Sequence, residues 1–91
     1  MSEFSDRVIL VTGGGTGIGR ATCLLFAKQG ADVVVNYSRS QSEAEGVVQE
    51  IEKLGRRAVA ICADISNDEA VRTMFAQTEQ QFGRLDILIN F

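Results

Sequence analysis

Between the apolar run Val8-Ile9-Leu10-Val11 and a helical pattern opening at Arg20 lies Thr12-Gly13-Gly14-Gly15-Thr16-Gly17-Ile18-Gly19. Strand, glycine loop and helix, in that order, form the arrangement that a dinucleotide pyrophosphate needs. The first N–H groups of a helix have no partner within it, and the aligned peptide dipoles make that end positive. A phosphate reaches those groups only where no side chain bars its approach, which is the reason for glycine. Two neighbouring patterns fail residue by residue. A triphosphate P-loop, G-x-x-x-x-G-K-[ST], matches from Gly14 to Gly19 but then meets Arg20-Ala21, so the lysine and the magnesium-binding hydroxyl are missing. The usual G-x-G-x-x-G from Gly15 and Gly17 would put Arg20 at the third glycine. What remains is the wider spacing Gly13-x-x-x-Gly17-x-Gly19.

A second group of residues bears on which dinucleotide fits. An NAD site carries an acid about 20 residues beyond the glycine loop, at the end of the second strand, to bind the ribose 2′-hydroxyl. Here that place reads Asn36-Tyr37-Ser38-Arg39-Ser40, without a carboxylate. A 2′-phosphate then meets no repulsion, and Arg39 with the Ser38 and Ser40 hydroxyls can bind it. One charge-assisted hydrogen bond contributes about 1.5–3 kcal/mol, which favours NADP over NAD.

The elements that must position these residues alternate along the chain. Arg7 to Thr12 reads as a strand apolar on both faces, and Gly17 to Gln29 as a helix with an inner stripe of Ile18, Ala21 and Leu25, stopped by Gly30. Asp32 to Asn36 is a second strand. Ser42 to Leu54 is a helix with Ala44, Val47, Val48 and Ile51 on one side, opened by a Ser42–Glu45 capping box and ended by Gly55. Ala58 to Cys62 is a third strand. A Ser66–Glu69 capping box opens a helix that turns Val71, Met74, Phe75 and Phe82 inward and closes at Gly83, and Leu85 to Asn90 is the fourth strand. Doubly apolar strands separated by helices imply an α/β fold with a doubly wound parallel sheet. Right-handed crossovers give strand order 3-2-1-4, with the first two helices on one face and the third on the other. The glycine loop then lies at the switch point where such sheets bind ligands. The fourth strand becomes a bare edge, open to pairing.

At 91 residues the chain is one domain, expected over 1–91 and incomplete at its C-terminal end. A net charge of −3 without runs of like charge gives no general attraction for nucleic acid or an anionic membrane. Met1 to Asp6 does not read as a signal peptide, and Val8 to Val11 is too short to cross a bilayer. Cys23 and Cys62 lack metal-type spacing, no histidine accompanies them, and both are expected to be small buried residues in a reducing, cytoplasmic setting. Asn36-Tyr37-Ser38 matches a glycosylation sequon, read as chance without a secretory signal.

The loop spacing resembles the short-chain dehydrogenase/reductase family, whose hallmark is T-G-x-x-x-G-x-G. Thr12 to Gly19 matches that loop, Asp64-Ile65 matches the acidic position that holds adenine, and Leu85-Asp86-Ile87-Leu88-Ile89-Asn90 matches the strand leading into the family's N-N-A-G segment. The resemblance implies a Rossmann-like fold in which Gly13, Gly17, Ile18 and Gly19 line the pyrophosphate and nearby ribose. It implies that Asp64 and Ile65 flank adenine, with Gly15, Thr16 and Asn90 completing the cofactor residues beside Ser38 and Arg39. Thr12 is expected to be a structural hydrogen-bonding residue. Thr16 stands where the family's NADP enzymes often carry a basic residue, and Phe91 stands where N-N-A-G would continue. The family's catalytic Ser, Tyr-x-x-x-Lys and further Asn lie beyond the fourth strand. The sole tyrosine here, Tyr37, is followed four residues on by Gln41 rather than lysine. The resemblance therefore implies the cofactor half of an oxidoreductase acting on a carbonyl or hydroxyl substrate, with this chain alone not turning over. The alternative is a non-catalytic nucleotide-binding or interaction module that pairs through its fourth strand with a partner or a second copy; a homo-oligomer is left open.

Overall fold

The computed structural model describes residues 3–91, so Met1 and Ser2 of the Met1–Asp6 stretch lie outside it. The elements run β1 (Val8–Val11), α1 (Gly17–Lys28), β2 (Asp32–Tyr37), α2 (Gln41–Lys53), β3 (Ala58–Cys62), α3 (Asp68–Phe82) and β4 (Ile87–Ile89). The strands pair in parallel in the order β3-β2-β1-β4, with Val8 opposite Asp32, Ile9 opposite Ile87, and Val33 opposite Ala58.

The central strands are buried on both faces because each face has its own helical cover. Ile9, Val11, Val33 and Val35 point toward α1 and α2, where Cys23, Ala27, Ala44, Val47 and Ile51 meet them. Val8, Leu10 and Val34 point the other way, onto Met74 of α3 with Phe75 and Phe82 beside it. This is the expected two-plus-one arrangement. At roughly 25 cal/mol per Å² of apolar surface removed from water, these two layers are the main stabilising contribution to the fold.

Ionic clamps secure the amino ends of the strands. The Asp32 carboxylate accepts from Arg57 N at 3.0 Å and from Arg57 Nη2 at 2.9 Å, and the same guanidinium lies 4.8 Å from the centre of the Phe82 ring. Asp86 Oδ2 accepts from Val8 N at 2.8 Å while Oδ1 accepts from Arg84 Nη2 at 2.6 Å.

Several expectations need correction. The inner face of α1 is not Ile18, Ala21 and Leu25: Ile18 and Leu25 are 71% and 58% exposed, and Gly19, Cys23 and Ala27 face inward. The helix starts so close to the glycine loop and sheet that only small side chains fit beneath it. Neither capping box forms. Ser40, not Ser42, precedes α2 and makes no side-chain cap bond. Asn67 caps α3 by accepting from Ala70 N at 3.1 Å, because Ser66 is already bonded to Asp64. Cys62 is exposed, since it ends an edge strand; Cys23 is buried as expected. The strand expected from Leu85 to Asn90 is only Ile87–Ile89, because Asp86 turns its side chain back to Val8 N. Asn36 of the sequon is buried.

Candidate functional site

The glycine loop, the segment after β2, the turn after β3 and the end of β4 all emerge at the carboxyl edge of the sheet. Gly13 and Gly17 have φ of +61° and +56°, a region that L side chains rarely adopt, and a side chain at either would meet open space. Their role is therefore to bend the loop, not to fit beneath a neighbour. Gly19 differs: a Cβ there would collide with Gly13 O and lie 2.9 Å from Gly14 Cα. Gly15 packs its backbone against α2, where an added Cβ would sit 3.0 Å from Ala44 N. Gly15 therefore seats the loop on its neighbour, while Gly13 and Gly17 shape its open side.

Thr16 occupies the N-cap of α1 in an extended conformation, makes no side-chain cap bond, and no acidic residue lies in the first turn. The amino end of α1 thus keeps its positive field and unpaired N–H groups toward solvent. Such a helix end is electrostatically suited to an anion. Ile18 stands exposed at its mouth.

A cavity of about 170 Å³ beside the loop is lined by Gly13, Asn36, Ser38, Asp64, Ile65 and Phe91, among others. Asp64 Oδ1 accepts from Ser66 N at 2.9 Å and Ser66 Oγ at 2.7 Å. Those bonds, hydroxyl first, hold the Asp64 carboxyl below the usual carboxylate range, and the positive charge of Arg39 adds to the effect. Among the described residues no carboxylate forms an ion pair with Arg39. Ile65, 45% exposed, offers an aliphatic surface next to that carboxylate.

Thr12 binds the far end of the site together. Its Oγ1 donates to Asn90 Oδ1 at 3.0 Å and accepts from Phe91 N at 2.9 Å, so its hydroxyl is structural. Asn90 is thereby placed at the end of β4, lining a second, apolar cavity of about 130 Å³ with Ile65 and Leu88. A larger cavity, about 350 Å³, lies along α3 by Cys62 and Glu69 and includes none of the expected site residues. Its size is outweighed by the charge and backbone geometry at the loop. Desolvation, then the negative charges of Cys62 and Glu45, raise the Tyr37 phenol above its ordinary value.

The structure thus brings Gly13, Ser38, Asp64 and Ile65 around one cavity, leaves Gly17, Ile18 and Gly19 at the start of α1, and puts Asn90 on Thr12. Sequence reasoning missed Asn36, whose main chain and side chain both bond within the site. A lone amide ending a run of three valines was the available signal.

A family model described as short chain dehydrogenase matches residues 7–91. The chain belongs to the short chain dehydrogenase family. The short-chain dehydrogenase/reductase homolog YusS of Bacillus subtilis is 52% identical over 85 residues, covering 93% of this chain and 78% of that protein. A short chain dehydrogenase from Burkholderia cenocepacia J2315, solved in complex with NADP, is 46% identical, with a TM-score of 0.90 over 93% of this chain and 35% of that one. An NAD+-bound xylitol dehydrogenase is 29% identical with a TM-score of 0.88, over 94% of this chain and 33% of that one. The chain likewise spans only 33% to 36% of several other curated relatives.

Proposed function

We propose that this chain binds NADP(H) as the cofactor portion of an oxidoreductase acting on a carbonyl or hydroxyl substrate. The observation that carries the reading is the amino end of α1, uncapped, without a first-turn acid, and approached through Gly13 and Gly17. The NADP and NAD+ complexes of the two solved relatives support a nicotinamide dinucleotide in general. The preference for NADP rests on this chain's own residues.

The free N–H groups at Gly17 to Gly19 would hold the pyrophosphate. The Asp64 carboxylate, with Oδ1 bonded to Ser66, presents Oδ2 to the adenine amino group, and Ile65 covers the ring. Ser38 and Arg39 would bind the 2′-phosphate, with no carboxylate in the segment from Asn36 to Ser40 to repel it. When bound, the nicotinamide supplies or accepts the hydride. The acid–base group that would move the accompanying proton is assigned to the remainder of the parent protein. Cys23 and Cys62 are both free thiols, which fits a reducing compartment and a cytoplasmic protein.

Fluorescence titration of the purified chain with NADPH beside NADH tests the proposal. Saturable binding that favours NADPH is expected. Equal affinity for the two would remove the 2′-phosphate assignment, and no binding to either would overturn the cofactor reading for this chain.

A further inference from the structure

We propose that Asn36 is the positioning residue that sets the spacing between the glycine loop and the Asp64–Ile65 turn, and with it the fit of the adenosine end of the cofactor. The inference rests on the dinucleotide reading above.

Asn36 follows Val33-Val34-Val35 and is only 2% exposed. An amide buried there without partners would be destabilising, so its bonds explain its presence. Its main-chain oxygen accepts from Gly14 N at 3.0 Å and so holds the glycine loop. Its side chain works in the other direction. Nδ2 donates to Ala63 O at 3.1 Å and Ile61 O at 3.3 Å, with Tyr37 O also near at 3.4 Å. Surrounded by carbonyl oxygens, that end of the amide must be the nitrogen.

The position of these bonds gives them consequence. The last backbone link between the second and third strands runs from Ala63 N to Tyr37 O at 2.9 Å. The Asn36 amide adds one more tie on Ala63, and Asp64 is the next residue. One side chain and its own carbonyl therefore bond to both walls of the cleft, and the same residue lines the cavity between them. Aspartate has nearly the same shape but would set a carboxylate against Ile61 O and Ala63 O. Alanine would leave Ala63 O without its donor.

The test compares the unmodified chain with Asn36→Asp, Asn36→Ala and Asp32→Asn, using NADPH and 2′,5′-ADP as ligands. Asp32 lies at the opposite end of the same strand, bonded to Arg57, and serves as the control for lost stability alone. Both Asn36 variants should bind 2′,5′-ADP about tenfold more weakly, the effect of losing two buried hydrogen bonds. Asp32→Asn should lower the melting temperature and leave affinity unchanged at temperatures where it is folded. Asn36 variants that bind within twofold of the unmodified chain overturn the inference, as does an equal affinity loss in Asp32→Asn. Should the Asn36 variants not fold, NMR of the unmodified chain decides: the Asn36 Nδ2 protons must exchange more slowly than those of exposed Asn67. Equal exchange overturns the inference. If the unmodified chain binds neither nucleotide, the functional reading fails and this inference with it, whereas binding that survives Asn36→Asp removes the inference alone.

Discussion

Replacing Gly19 by alanine tests the close approach between the start of α1 and the glycine loop. The new methyl would overlap Gly13 O and lie 2.7 Å from Gly13 C and 2.9 Å from Gly14 Cα. All three are backbone atoms, so no side-chain rotation can relieve the overlap; the loop or the helix start must move. Overpacking of this kind costs about 1–3 kcal/mol or more. In a domain of this size each kcal/mol shifts the melting temperature by about 4–8 °C, so a fall of about 4–24 °C is expected. Gly46→Ala is the matched comparison. A Cβ at Gly46 meets nothing within 4 Å in the middle of α2. There the exchange removes a helix-weakening glycine and should raise the melting temperature by about 4 °C. Thermal unfolding followed by circular dichroism reads both, and NADPH titration of Gly19→Ala reads the displaced loop as lost affinity. A Gly19→Ala chain with unchanged melting temperature and binding would refute the argument that this contact shapes the loop.

Three other measurements follow from particular side chains. Arg39→Ala should narrow the affinity gap between NADPH and NADH by about tenfold to a hundredfold, the worth of a charge-assisted bond to phosphate; an unchanged ratio removes Arg39 from the explanation. Asp86 is held below the usual carboxylate range by the hydrogen bond from Arg84 first and by Val8 N–H next. Its folded value lies below its unfolded one, so its stabilisation is complete above about pH 4 and is lost as pH falls through the folded value. The melting temperature of Asp86→Asn should therefore depend less on pH below about pH 4 than that of the unmodified chain, and parallel profiles would contradict this account. Burial pushes the Cys23 thiol up to about 12 while Cys62 is exposed. A thiol reagent should modify Cys62 promptly in the native chain and Cys23 only after unfolding; prompt modification of both would contradict the packing of α1.

Much of the fold was legible because its signals were hydrophobic. Val8 to Val11 and Val33 to Val35 are apolar at every position, which only a sheet covered on both faces accommodates. Ala44, Val47 and Ile51 recur at helical spacing and are buried together. The face of α1 was not legible, because its contacts are made by Gly19, Cys23 and Ala27, while larger Ile18 and Leu25 draw the eye outward. Small size, not hydrophobicity, selects residues where a helix start lies against backbone. The two capping boxes were misread for different reasons: Ser42 lies inside α2, one residue past its start, and Ser66 is engaged by Asp64, leaving the cap of α3 to Asn67. The glycine pattern marked the loop that leads into the uncapped amino end of α1, but it could not separate Gly15, which packs on α2, from Gly13 and Gly17, which bend the loop. Asn36 read only as a missing acid. Its cross-strand bonds depend on β3 lying alongside, a relation between residues 25 and 27 positions apart.

The ionic clamps of Asp32 and Asp86 belong to the opposite rim of the sheet from Ser38 and Arg39, which are exposed and hold up no core residue. On the proposed cofactor reading, the ionic clamp of Asp32 and the 2′-phosphate contacts lie at opposite ends of β2. On that reading, residues 38 and 39 form a segment to randomise for altered cofactor preference while the opposite rim goes on fastening the scaffold. Selection for a new nucleotide could then proceed along that segment without a compensating change elsewhere in the chain.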